Sequence, residues 1–204
     1  MKKLLSVLLC LIFCFAFLGC SNSNVEKENE EAKRVLMNVL EKKQTFIAKT
    51  SAISDKITEQ TLSKYHFSTN SDAYYAFVPG LYTFADCDAN GINELVVLDM
   101  MLPCYLVLRY DGEKVYGYNY THIGDIKKFK SDGSFEPRLK DGESRISRFV
   151  FNDCDFEIID KAFMSEIENK YFLDGKATDK ETVKNYFDDW NENKAKAEWI
   201  KINE

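Results

Sequence analysis

An α+β fold follows from three features of this 204-residue chain. Apolar residues recur at helical spacing towards both ends. Short aromatic and β-branched runs fill the middle, and Asp-Gly or Asn-Gly pairs separate those runs. The expected architecture is an N-terminal helix, an antiparallel β-meander of about six to eight strands, and a C-terminal helix and final strand packed on the sheet.

The leader stands apart from the rest. Met1-Lys2-Lys3 precedes an apolar run, Leu4 to Leu18, that ends in Gly19-Cys20. A charged start, a short apolar stretch and small residues at its end form the pattern of a secretory signal. As a helix, Leu4 to Gly19 reaches about 24 Å, short of a hydrocarbon core of roughly 30 Å. The chain then divides into a signal over residues 1–19, a polar tether over 20–24 and a single α+β extracytoplasmic domain over 25–204. Within that domain, 25–66 reads as helical, 74–163 as the meander and 164–204 as a strand–helix–strand end.

Phe17-Leu18-Gly19-Cys20 resembles the lipobox of bacterial lipoproteins, with Phe17 where leucine is the common residue. The resemblance implies lipidation of Cys20, palmitate among the acyl chains, and attachment to the outer side of the cell membrane. Two or more acyl chains give the stable anchoring that one short apolar run does not. A plain signal peptide with an incidental cysteine, or an uncleaved anchor, are the other readings.

Charge narrows the partners. The chain carries 27 basic and 33 acidic side chains, a net −6. Removing residues 1–19 takes Lys2 and Lys3 and leaves 25 basic against 33 acidic, a net −8. Phosphate binding needs a basic surface, so nucleic acid is excluded as the main partner. Beyond the leader and Cys20, only Cys87, Cys104 and Cys154 remain, enough for one disulfide and an odd thiol, or for three small buried side chains.

In chain order, Ala32, Val35, Leu36, Val39, Leu40 and Ile47 place one apolar stripe on a helix over 25–49. A weaker helical stretch follows through Ile53, Ile57 and Leu62 to Tyr65-His66. Strands are expected at Leu81–Phe84, Leu95–Leu98, Tyr105–Tyr110, Val115–Tyr120, Ile126–Phe129 and Ile146–Phe151, turned by Asn90-Gly91, Asp111-Gly112, Asp132-Gly133 and Asp141-Gly142. Thr178 and Glu181 read as a capping box. Val183, Tyr186, Phe187 and Trp190 then form a core face, and Glu198–Ile202 is a closing strand that joins the sheet through Trp199 or Ile200.

One segment carries chemistry. In Asp86-Cys87-Asp88-Ala89-Asn90-Gly91-Ile92-Asn93-Glu94, oxygen-bearing side chains occupy positions 1, 3, 5 and 9, with glycine at 6. Calcium takes six to eight oxygens, and alternate acids on a tight loop converge on one point. Gly91 permits the sharp turn that lets the Ile92 carbonyl join Asp86, Asp88, Asn90 and Glu94 as ligands. Val97 stands where an EF-hand has its bidentate glutamate, and a strand follows instead of a helix. The loop is similar to the strand–loop–strand calcium sites of integrin-type propeller repeats. Its setting resembles secreted lipoproteins of Gram-positive anaerobes, through Tyr82 to Val97, Tyr110 to Val115 and Tyr171 to Lys176. A solvated acidic hairpin without metal is the bland alternative. The echo Phe151-Asn152-Asp153-Cys154-Asp155 has Ile158 where the glycine belongs and reads as strand.

Enzyme signatures are missing from the sequence. Two histidines, His66 and His122, make no zinc pair, and no Gly-x-Ser-x-Gly, Ser-x-x-Lys or Cys-x-x-Cys occurs. His122 beside Asp125, near Cys104 or Cys154, is the one constellation for a thiol hydrolase. Lys127-Lys128-Phe129-Lys130 reads as a solvated strand edge. Tyr116, Tyr118 and Tyr120 share a strand face, either as a filled core or as a stacking platform. The expectation is a non-catalytic envelope lipoprotein that binds a glycan, peptide or protein, with structural calcium in its loop. An extracytoplasmic hydrolase without recognisable motif, or a purely structural or inhibitory protein, are the alternatives.

Overall fold

The computed structural model describes residues 24–48, 59–68, 74–102, 104–121, 126–137, 139, 141–152 and 156–202. The leader, Cys20, Ile53, Ile57, His122, Asp125, Asp153, Cys154 and Asp155 lie outside the described residues. Helix α1 runs through residues 24–40. Its stripe of Val35, Leu36, Val39 and Leu40 is buried, as the periodicity predicts. The helix does not reach residue 49, because Lys42 takes a left-handed φ of 64° and Lys43 donates its N–H back to the Asn38 carbonyl. Phe46–Ala48 is instead strand β1. Glu59–Gln60 (β2) pairs with it, and Leu62–Lys64 is a single 3-10 turn where a longer helix was expected.

Strands β3 (His66–Ser68) and β4 (Tyr74–Ala76) form a separate pair. The meander then runs through β5 (Pro79–Ala85), β6 (Glu94–Asp99), β7 (Cys104–Tyr110) and β8 (Val115–Thr121), each antiparallel to the next. A second group follows: β9 (Ile126–Phe129), β10 (Phe135–Pro137), β11 (Glu143–Phe151), β12 (Phe156–Ser165), β13 (Lys170–Leu173) and β14 (Lys176–Ala177). After helix α2 (Lys180–Asn193), strand β15 (Ile200–Lys201) pairs Ile200 with Tyr82, so the closing strand joins the sheet as predicted.

Apart from the β3–β4 pair, the strands divide into two sheets, not one meander. The first has the order β15-β5-β6-β7-β8-β1-β2, the second β14-β13-β12-β11-β10-β9. One pairing is parallel, β1 with β8, where an all-antiparallel sheet was expected. The result is α+β in layers. Helix α1 and the β3–β4 pair cover one face of the first sheet through Leu36, Val39, Phe67, Leu95, Val97, Leu106 and Leu108. Its other face meets the second sheet through Val96, Val107, Tyr120, Phe135 and Phe149. Glu94 to Val97 is therefore buried without interruption, as a strand covered on both faces must be. Tyr118 and Tyr120 belong to this core, which removes the stacking-platform reading.

Helix α2 covers the outer face of the second sheet through Val183, Phe187 and Trp190, packed with Ile146 and Ala162. Each such side chain contributes about 2 kcal/mol on burial. A bulge makes this possible: the β11–β12 register skips Lys161, so Phe156 faces inward and Ala162 outward on one strand. The helix is capped by Asp179, which accepts from the Thr182 amide at 2.8 Å. Thr178 is not the cap, because the helix begins at Lys180 and Thr178 stands one residue too early, its amide donating to the Tyr171 carbonyl.

Lys130 also departs from the sequence reading. It is 1% exposed, and its ammonium donates to the carbonyls of Asn191 (3.1 Å) and Lys194 (2.8 Å) while lying 4.7 Å from the Trp190 ring. Helix α2 has no basic residue in its last turn, so Lys130, just past the end of β9, supplies the cation at its negative end. Beyond α2 the chain runs along β9, with Ser131 donating to Ala195 and Ala197 to Phe129, and then reaches β5 as β15. Trp199 packs against Tyr105 and Phe129 between the two attachments.

Candidate metal centre

The 86–94 segment is the turn between β5 and β6. Glu94 is the first residue of β6 and pairs with Ala85, so the strands fix both ends of the loop. Ala89 (φ 63°) and Gly91 (φ 90°) take left-handed backbone, which folds the intervening residues back on Asp86. The Asp86 carboxylate accepts from the amides of Asn90 (3.0 Å) and Gly91 (3.1 Å), and Asp88 also accepts from the Asn90 amide at 3.2 Å. Asn90 Oδ1 accepts from the Ile92 amide at 2.6 Å.

These bonds gather the acids. One oxygen each from Asp86, Asp88 and Glu94 lies within 4.8 Å of the others. Of the residues predicted to bind metal, these three converge. Asn90 and Ile92 are bonded to each other within the same loop, and Cys20 lies outside the described residues. Glu94 is 1% exposed and accepts from the Cys87 amide at 2.7 Å. Burial, and then the Asp88 charge, push its carboxyl up to about 8, against the opposing Cys87 amide and Arg109. Burial also raises Asp88, with the Arg109 guanidinium opposing.

Three groups around the loop escaped the sequence reading. Arg109, on β7, sets Nε 3.7 Å from Asp88 and 4.0 Å from Glu94, with its guanidinium 5.6 Å from the Phe151 ring. A charged residue closing the apolar run Cys104 to Leu108 is the signal that marks it. Asn29 of α1 accepts from both the amide (3.0 Å) and the side chain (3.1 Å) of Asn93, tying the helix to the loop. Gly133, from the second sheet, packs so closely that a Cβ there would lie 2.3 Å from Cys87 Cα. The loop thus sits where α1 and both sheets meet.

The donor set is all oxygen and carries three carboxylates against one guanidinium. Such a set fits a hard divalent cation and not a thiolate- or imidazole-preferring metal. Cys87 is buried beside it, its thiol pushed well up by burial and then by the Glu94 charge, so it remains a neutral packing residue.

The hydrolase constellation gains no support among the described residues. Cys104 is buried and donates to Asn119 Oδ1 at 2.7 Å, with burial holding its thiol far above the ordinary range. His66 bonds the Lys64 carbonyl through Nδ1. No helix among the described residues is long and apolar enough to cross a membrane. Comparison with known proteins finds no matching family model, no matching curated protein and no matching solved structure.

Proposed function

We propose that the chain is a membrane-tethered lipoprotein of the bacterial cell envelope, held by lipid on Cys20, whose extracytoplasmic domain is a non-catalytic binding or structural module with a calcium-clamped loop. The convergence of Asp86, Asp88 and Glu94 within 4.8 Å carries the metal reading. The charged start, short apolar run and Gly19-Cys20 of the leader support the tether. Calcium here is structural: with Asp86, Asp88, Asn90, the Ile92 carbonyl and Glu94 as its ligands, it clamps the β5–β6 turn against α1. The ion supplies charge neutralisation, while the chain supplies the preformed turn.

Calorimetric titration of the detergent-solubilised full chain, with melting curves in calcium and in chelator, tests this. Binding heat and a higher melting temperature in calcium are expected. No heat and identical melting curves overturn the metal reading. Metabolic labelling with palmitate tests the tether: label is expected on the wild type and lost in Cys20→Ala, and an unlabelled wild type overturns it. The ligand class, a glycan, peptide or protein of the envelope, is read by a binding screen run with and without calcium.

A further inference from the structure

We propose that Asn90-Gly91, at the tip of the β5–β6 turn, is a self-modifying site at which Asn90 loses ammonia through a succinimide, helped by the loop's own groups. It is the only Asn-Gly pair in the chain. Glycine puts no side chain in the way of its own nitrogen, and asparagine is among the chemically labile residues. Both residues are exposed, so water reaches them.

The hydrogen bonds around the pair match the needs of the reaction. The nucleophile is the Gly91 nitrogen, and its N–H already points at Asp86 Oδ2, 3.1 Å away. The electrophile is the Asn90 side-chain carbonyl, whose Oδ1 accepts from the Ile92 amide at 2.6 Å. The leaving group is Asn90 Nδ2, which donates to Asp88 Oδ2 at 3.3 Å. A carboxylate at the attacking N–H serves as base, and an amide at the carbonyl oxygen stabilises the charge that develops there.

The steps balance. The Gly91 N–H proton passes to Asp86 as the bond from Gly91 N to Asn90 Cγ forms, and the Ile92 amide holds the resulting oxyanion. The Cγ–Nδ2 bond then breaks, the proton returns to Nδ2, and ammonia leaves. Water opens the succinimide at either carbonyl and gives aspartate or isoaspartate. Aspartate adds a fourth carboxylate to the cluster, whereas isoaspartate inserts a methylene into the turn and spoils its convergence. A cation on Asp86 and Asn90 Oδ1 would occupy both assisting contacts and stop the reaction. That last point rests on the calcium reading above, but the modification itself does not.

Peptide mass spectrometry of the detergent-solubilised full chain, aged at neutral pH in chelator, tests the proposal. Asn90 is expected to convert on the order of tenfold faster than any other asparagine, and no slower than in the same chain held in denaturant. Asp86→Asn keeps an oxygen for the Gly91 N–H but not a base, and is expected to slow conversion about tenfold while its melting curve shows a folded chain. Should that variant unfold, the comparison of folded with denatured wild type decides alone. Conversion slower in the folded than in the denatured chain overturns the proposal, whatever calcium does to melting. Conversion in chelator that calcium suppresses supports both readings. Conversion that calcium leaves unchanged supports the modification and overturns the calcium clamp.

Discussion

Replacing Glu94 by glutamine in calcium-free protein is expected to stabilise the fold. The side chain is 1% exposed, lies beside Asp86 and Asp88, and keeps its proton up to about 8. An unfolded glutamate releases its proton near 4.3. The unfolded state therefore gives up the proton first, and stability falls as pH rises from about 4.3 to about 8. At about pH 7 the mismatch with the unfolded value is about 2.7 pH units, and each unit is worth 1.36 kcal/mol, so keeping the proton costs about 3.7 kcal/mol. Glutamine has no proton to lose and keeps an oxygen for the Cys87 amide, so Glu94→Gln is expected to recover that amount. In a domain of this size the gain raises the melting temperature by roughly 7–15 °C. On the proposed calcium clamp, calcium at a hundred times its dissociation constant is expected to stabilise the wild type by about 2.7 kcal/mol and to leave the variant unmoved. The assay is a pair of melting series in chelator and in calcium across pH. A variant no more stable than wild type in chelator, or a wild-type stability that does not fall between about pH 5 and 8, refutes the reasoning.

Three further outcomes follow from the packing. Lys130→Met strips the Asn191 and Lys194 carbonyls of their donor and is expected to cost about 2–3 kcal/mol in denaturant titration, while an unchanged midpoint would mean that the buried ammonium is no net gain. Gly133→Ala forces a Cβ to within 2.3 Å of Cys87 Cα at φ 72° and is expected to cost about 3 kcal/mol or more, whereas Gly175→Ala, at φ 73° with nothing within 4 Å, costs about 1 kcal/mol in the same titration. Burial tends to raise the Asp132 carboxyl, but Ser134 and Lys194 overcome it and hold the group below its ordinary value, so its stabilisation is present above about pH 4 and disappears as pH falls through the native value; Asp132→Asn is expected to flatten that acid limb of the melting series.

Strands β5 to β9 and β11 were legible because period-two patterning and Asp-Gly turns are local signals, and Ile126–Phe129 is found at the bounds the sequence sets; β1 and β2 were not, because they lie in a stretch with helical spacing. The division into two sheets was not, since strands of either sheet carry the same local pattern and only distant pairings separate them. The unbroken apolar run Leu95-Val96-Val97-Leu98 is the sequence feature that answers to a strand covered on both faces. The end of α1 was hidden for a different reason. Its stop is a lysine in left-handed backbone, where glycine is the residue that announces one, and Ile47 lies seven positions after Leu40 by coincidence of spacing. The acids of the loop were readable because nine consecutive residues hold them. Arg109, Asn29 and Gly133 reach the same place from a strand, a helix and a turn far along the chain, and no local spacing reports them.

The run from Ser131–Ala195 pairing to β15 also bears on when the molecule can fold. Its residues hold the free edge of β9 and the free edge of β5, while β1, near the other end of the chain, docks beside β8. Neither sheet completes its hydrogen bonding until residues near 200 have arrived, and such long-range closures make folding slow. A chain still emerging from the ribosome can form the sequential turns from β5 to β8, but it lacks the pairings that close either sheet until its last residues are made.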